Sequence, residues 1–281
     1  MRIFDGCNIY EPLKQALLRI NVELSDDVVR ALAAAADNET NPTARDVLST
    51  ILQNLGIAKE RRLPICQDTG MVWVLLSIGE EIQWVGESAK SVISRAVCDA
   101  YEEGFFRKSV VADPLFFRTN TQTNLPPVLH VEFIEGDKIQ IAVMTKGFGS
   151  ENKSATRMLL PTASPEDVMH AVVEIVRMAR GAPCPPTVIG VGLGGTWDAA
   201  ALLSKKALLR DLDDTHPVPA YAALETQLLS KLNALGIGVG GLGGATTCLG
   251  VKIASMPTHI AGMPLAVTVN CWADRKSVIT L

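Results

Sequence analysis

Three cysteines in this chain stand in company that ordinary core packing does not call for. Cys66 lies in Leu-Pro-Ile-Cys-Gln-Asp-Thr-Gly, Cys184 in Ala-Pro-Cys-Pro-Pro-Thr and Cys271 in Val-Asn-Cys-Trp-Ala-Asp-Arg. All three segments read as loops between core elements, where ligands collect. Pro185, directly after Cys184, fixes the backbone and removes an N–H, a device also found after the last cysteine of bacterial ferredoxin runs. Three widely spaced thiols have three chemical readings: structural residues, one nucleophile with two bystanders, or ligands of an iron-sulfur cluster. The other three cysteines default to small structural residues. Cys98 falls in a helical stretch, Cys248 stands beside two threonines at a strand start, and Cys7 is near the N-terminus. No C-x-x-C pair announces a zinc or thioredoxin-like site.

The glycines offer a competing chemistry. The run from Gly190 through Gly192 to Gly195 satisfies G-x-G-x-x-G after a short strand and before a helix, with Asp211 and Asp213 further on, which is the form of a dinucleotide-binding turn. A nicotinamide-dependent oxidoreductase is therefore the alternative class. Gly238 to Gly243 fits the same pattern without a strand before it, and a long helix stands where the second strand of a dinucleotide fold belongs. Both facts weigh against that alternative.

The elements that must position these loops follow from periodicity. Apolar residues at helical spacing predict helices over 12–20, 26–36 and 44–55, with Ser25 and Thr43 as caps, so the N-terminal fifth is helical. Residues 71–79 read as a buried strand and 88–103 as a helix. Alternation over 128–144 around Glu135-Gly136-Asp137 predicts a two-stranded hairpin. Ser164 and Pro165 start a helix that Gly181 stops. A strand at 188–191, helices at 197–209 and 219–235, and strands at 249–254 and 265–270 complete the chain. This is an α+β chain, expected as a single mixed domain over 1–281 with a helical N-terminus and a mixed sheet region carrying the three cysteine loops.

With 48% apolar and 20% charged residues, the chain can bury a sizeable core, which excludes general disorder. Scattered basic residues and a net charge of −4 argue against nucleic acid. No apolar run approaches membrane-spanning length, and the N-terminus lacks a secretory pattern. The expected compartment is the reducing cytoplasm.

Six segments together resemble one family: Cys66-Gln-Asp-Thr-Gly70, Asn120-Thr-x-x-Asn124, Lys146-Gly-x-Gly-Ser-Glu-Asn152, Ala182-Pro-Cys-Pro-Pro186, Pro257-Thr-His-Ile-Ala261 and Cys271-Trp-Ala-Asp-Arg275. Their order resembles the class I, iron-sulfur fumarate hydratases and related dehydratases, specifically the alpha subunit. The resemblance implies a 4Fe-4S cluster on Cys66, Cys184 and Cys271, with one iron open to substrate. It implies Asp68 and His259 as catalytic groups, and Gln67, Arg107 and Gly149 as substrate contacts. The chain departs from several relatives at Gln122 and Phe148, where they have glycine. The expected reaction is reversible dehydration of a C4 hydroxydicarboxylate, with malate and fumarate favoured by His259. A tartrate dehydratase is the nearest alternative, and a non-catalytic oxidant sensor a further one. Long single-chain relatives draw further groups from a C-terminal domain. Since this sequence ends at Leu281, a separately encoded beta subunit and a hetero-oligomer are expected. If the chain acts alone, unassigned basic residues such as Lys153 or Arg275 complete the site.

Overall fold

In a computed structural model, which describes residues 1–281, the elements run in this order. They are β1 (Arg2–Asp5), α1 (Tyr10–Val22), α2 (Asp26–Asn38), α3 (Pro42–Arg61), β2 (Met71–Gly79), β3 (Ile82–Val85), α4 (Ala89–Glu103), β4 (Val128–Ile134) and β5 (Ile139–Lys146). There follow α5 (Phe148–Glu151), β6 (Ala155–Leu159), α6 (Pro165–Ala179), β7 (Thr187–Gly195), α7 (Trp197–Ala207), α8 (Pro219–Asn233), β8 (Cys248–Thr258), β9 (Met263–Asn270) and β10 (Lys276–Thr280). The α+β class and the helical N-terminus stand as the sequence predicts. No helix is long and apolar enough to cross a membrane. Where the sequence offers no internal boundary, the contacts group into two compact units that interleave along the chain. One comprises 1–25, 54–148 and 275–281, the other 26–53 and 149–274.

The first unit is built on a sheet of order β10-β5-β2-β4. The predicted hairpin over 128–144 is corrected here: β4 and β5 are both strands, but β2 lies between them, parallel to β4 and antiparallel to β5. The reason lies in β2 itself. Val72 to Leu76 are all buried, and a strand without a polar face must be central, flanked on both edges and covered on both faces. The Glu135-Gly136-Asp137 turn instead wraps the end of β2. Gly79 N donates to Lys138 O (2.8 Å) and Glu81 N to Gly136 O (3.0 Å). Leu13, Leu17 and Ile20 of α1 and Val92, Ile93, Val97 and Tyr101 of α4 share one core with Val72, Val74, Ile141 and Val143 of the sheet. Ser88 caps α4 by accepting from Ser91 N.

The second unit is built on a sheet of order β6-β9-β7-β8. Ile189, Val191 and Leu193 of β7 pack in one core with Val172 and Val176 of α6 and Leu224 and Leu228 of α8. The alternate residues of the same strand are Gly190 and Gly192. A Cβ there would stand 2.1 Å from Ser204 O and Ala200 O of α7. The predicted short strand extends to Gly195 and holds all three glycines of the G-x-G-x-x-G run, with Gly190 and Gly192 directly under α7. These two let a helix lie directly on the sheet rather than forming the strand-to-helix turn that cradles a pyrophosphate. The α6 start is a capping box, with Ser164 Oγ accepting from Asp167 N and Asp167 accepting from Ser164 N.

Candidate functional site

In the first unit, the chain leaves α3 and enters β2 through a loop whose backbone is held by main-chain and side-chain groups from elsewhere in the unit. Ile65 N donates to Asn21 O (2.8 Å), and Asn54 Nδ2 donates to Ile65 O (2.9 Å). The next three carbonyls that matter are all taken: Asp68 O by Arg275 Nη2 (2.9 Å), Thr69 O by Tyr101 Oη (2.7 Å), and Gly70 O by Asn124 Nδ2 (3.2 Å) and Tyr101 Oη (3.1 Å). Burial pushes the Tyr101 phenol well above its usual range, so it stays a donor. Gly70 has φ +77°, and a Cβ there would sit 2.6 Å from the Lys146 carbonyl carbon, so only glycine makes this entry into the strand.

Within this frame Cys66 is half-buried, Gln67 exposed and Asp68 half-buried. The Asp68 carboxylate is oriented by two amides, Gly70 N on Oδ1 (3.0 Å) and Phe148 N on Oδ2 (2.9 Å). Gly147 makes room, because its Cβ would stand 2.9 Å from Asp68 Oδ2. Phe148 thus serves the Asp68 carboxylate through its backbone amide.

The Asn120-Thr-x-x-Asn124 segment turns out to position Arg107. Asn120 Nδ2 donates to Lys108 O (2.7 Å), Asn124 Oδ1 accepts from Ser109 N (2.8 Å), and Thr69 Oγ1 donates to Arg107 O (2.9 Å). Phe106 is buried edge-on against Tyr101, which leaves the Arg107 side chain exposed. Asn124 is fully buried at φ +60° and Gln122 is exposed at φ +61°. Both are left-handed positions that favour glycine or asparagine. The backbone at 122 therefore favours glycine, and Gln122 adopts it while its amide N donates to Asn120 Oδ1 (2.7 Å). Asn124→Gly keeps this backbone and loses both hydrogen bonds. With Arg107 as the substrate contact that the resemblance implies, steady-state kinetics are expected to show KM raised on the order of tenfold with kcat little changed. An unchanged KM would detach this segment from Arg107.

In the second unit, Cys184 is exposed at φ +54° in the link from α6 to β7, with Cys184 N donating to Gly181 O (3.1 Å). The glycine-rich stretch after α8 packs against this link backbone to backbone. A Cβ on Gly241 would stand 2.6 Å from Gly181 Cα, and Gly240 N donates to Pro185 O (2.8 Å). That stretch is tied down in turn by Glu39, whose fully buried carboxylate accepts from Thr40 N, Asn41 N and Ala245 N (2.9 Å each). Burial raises the Glu39 pKa, but the amides of Asn41, Ala245, Thr40 and Thr246 outweigh it and hold the carboxyl below its usual range. A depressed folded pKa gives stability present above the unfolded value of about 4.3 and lost as pH falls through the folded one. Glu39→Gln is expected to cost about 1–3 kcal/mol at pH 7 and to flatten the acid limb of stability against pH. Thermal melts from pH 7 down to pH 3 check this, and superimposable profiles would contradict it.

Cys271 is half-buried directly after β9, in a loop closed by Asn270 Nδ2 donating to Asp274 Oδ1 (2.6 Å). His259 is exposed in the turn from β8 to β9, where its Nδ1 accepts from Ala261 N (3.1 Å). That bond assigns the proton of the neutral ring to Nε2, so the free edge of the imidazole is a donor. Gly149 is exposed on α5, and a Cβ there would meet only Ala182 O at 3.6 Å.

Cys66, Gln67, Asp68 and Arg107 thus belong to the first unit, and Gly149, Cys184, His259 and Cys271 to the second. No cysteine is in a disulfide. Cys248 differs in kind from the loop cysteines: it is sealed in the core, and burial pushes its thiol up to about 12. No three His, Cys, Asp or Glu side chains converge as ligands of a single ion. Sequence reasoning missed Asn21, Tyr101, Glu39 and the inward course of Arg275. Arg275 is 2% exposed with both terminal nitrogens on protein acceptors, so it does not present a cation to a substrate. Of these, only Arg275 lay within a quoted motif.

A family model described as fumarate hydratase (fumerase) matches residues 10–280. The chain is 41% identical over 264 residues to the putative L(+)-tartrate dehydratase subunit alpha of Methanocaldococcus jannaschii, covering 92% of each chain. It is 32% identical over 262 residues to the L(+)-tartrate dehydratase subunit alpha of Escherichia coli K12, covering 92% of this chain and 86% of that one.

Proposed function

From its membership of the class I fumarate hydratase and L-tartrate dehydratase alpha-subunit family, a family of hydro-lyases, we propose that this chain is the cluster-binding alpha subunit of a dehydratase whose substrate is tartrate. The relatives' names favour tartrate over the malate and fumarate first expected from His259. The physical argument for that first choice is weak: an exposed turn imidazole with Nε2–H outward serves a carboxylate of either substrate.

Cys66, Cys184 and Cys271 fit an iron-sulfur cluster. Each lies in a loop, each is half-buried or exposed, and thiolate is the ligand such clusters use. When bound, a cluster with one open iron supplies Lewis acidity at the substrate hydroxyl. The chain's own residues do the rest. Asp68, aimed by the Gly70 and Phe148 amides, manages the proton of the departing hydroxyl. Arg107 grips one carboxylate with its two-pronged guanidinium. His259 Nε2–H, Gly149 N–H and the Gln67 amide supply further donors. No residue here is placed as the base at carbon. The designation of the relatives as subunit alpha supports a separate beta subunit, which would supply that base, the second carboxylate grip and cover from water. Working in the cytoplasm suits three thiols kept reduced.

The observation that carries the reading is the Cys66-Gln67-Asp68 loop, whose backbone is fixed by buried donors while Cys66, Gln67 and Asp68 stay accessible. Anaerobic reconstitution with candidate beta subunits, assayed on L(+)-tartrate, malate, fumarate and mesaconate, tests it. Preferred turnover of tartrate supports the proposal, and preferred turnover of malate returns the first expectation. A colourless protein that binds a nicotinamide would overturn the class.

A further inference from the structure

Arg275 is the largest fully buried side chain of the protein and a cation. Its guanidinium has two acceptors, both neutral: Asn21 Oδ1 for Nη1 (3.2 Å) and Asp68 O for Nη2 (2.9 Å). The third nitrogen, Nε, is buried with no acceptor. Asn21 is itself fully buried; its Oδ1 also accepts from Thr145 Oγ1 (3.4 Å), its Nδ2 donates to Leu17 O (2.9 Å), and its main-chain O accepts from Ile65 N. The two ends of the Cys66 loop, Ile65 and Asp68, are thereby tied to one buried pair, Asn21 and Arg275. Burying an arginine without an ion pair is costly. An aliphatic residue would fill the same space at less expense if packing were the only requirement. What an aliphatic residue cannot do is hold Asp68 O, and with it the direction in which the Asp68 carboxylate leaves the backbone.

The geometry points to Arg275 as a positioning residue for Asp68. Its guanidinium fixes the Asp68 carbonyl from inside the unit, and its positive charge lies on the buried side of the loop whose exposed side carries the reacting carboxylate. Tyr101 and Asn124 fix the following carbonyls from α4 and from the 120–124 segment, while Arg275 takes the Asp68 carbonyl and the Gly70 and Phe148 amides take its carboxylate. The inference rests on the hydro-lyase reading for what Asp68 does, but not for how Asp68 is held.

The test compares Arg275→Ala, Arg275→Gln and Arg275→Lys in the reconstituted complex and in the cluster-free chain. In the complex, kcat of Arg275→Ala is expected to fall about 10–100-fold, with KM within about twofold and iron per chain retained. Added guanidinium ion is expected to restore part of the lost kcat, and Arg275→Lys, with one compact donor group, to fall between wild type and Arg275→Ala. In the cluster-free chain, amide exchange at Thr69 and Gly70 and alkylation of Cys66 are expected to speed up, while exchange in β7 is unchanged. If Arg275→Ala does not fold, Arg275→Gln carries the comparison, since it fills more of the buried space while its uncharged amide falls two bonds short of the guanidinium terminal nitrogens. Unchanged kcat and unchanged exchange at Thr69 would overturn the inference, as would a loss that guanidinium does not relieve and that follows iron content alone. Accelerated exchange in a chain whose wild type turns over none of the four acids would uphold the positioning and remove the hydro-lyase reading instead.

Discussion

Serine in place of any one of Cys66, Cys184 or Cys271 is expected to reduce iron in anaerobically reconstituted protein from about four per chain to well below that, with turnover lost alongside, because thiolate is the cluster ligand and an alcohol is a poor substitute. Serine at Cys7, Cys98 or Cys248 is expected to leave both iron and turnover in place. The contrast for Cys248 is the most informative, because its thiol is fully formed in the core with Sγ donating to Gly250 O (3.2 Å) and is held protonated by burial. Iron analysis and the visible spectrum read the outcome directly. A Cys248→Ser protein without iron beside an iron-replete Cys271→Ser protein would reassign the third ligand. With one iron open, inactivation in air and recovery with iron and reductant are also expected.

Asp68→Asn is expected to lower kcat by about 10²–10⁴-fold while iron per chain is kept, the range a positioned proton-transfer group supplies. The carboxamide is a demanding replacement at this site. Both Asp68 oxygens accept from backbone amides, Gly70 N and Phe148 N, so the new NH₂ must face one N–H with another and that bond is lost. The variant therefore removes the proton carrier and loosens one of its two anchors. His259→Asn makes the complementary comparison, since its ring is exposed and accepts from the Ala261 amide. Its expected loss appears in KM and kcat with no change in thermal stability. Steady-state kinetics with iron counted per chain measures both. A normal kcat for Asp68→Asn would take Asp68 out of the mechanism.

Much of the local structure was legible in the residues because its causes are local. The capping box at Ser164 and Asp167, the Ser88 cap and the all-apolar run of β2 each act within a few positions of the chain. The strands β1, β3, β6 and β10 were not predicted. Each is four or five residues long and partly exposed, too short to show a period.

What the sequence by itself determined was the class of elements, the three loops in which thiols stand clear of the core, and, through six ordered motifs, the family. What only the tertiary structure decided was which partners those elements meet. Alternating apolar residues suit β4 and β5 equally as a hairpin or as strands parted by β2, and only the need of β2 for two neighbours chooses. The G-x-G-x-x-G run becomes a strand because α7 lies against its glycines. The Asp68 carbonyl is held by Arg275, 207 positions further along the chain, and the Cys66 loop is held by Asn21 from α1. No propensity or spacing encodes such bonds, because a buried donor is matched to its acceptor by the packing of whole elements and not by the chain on either side of it.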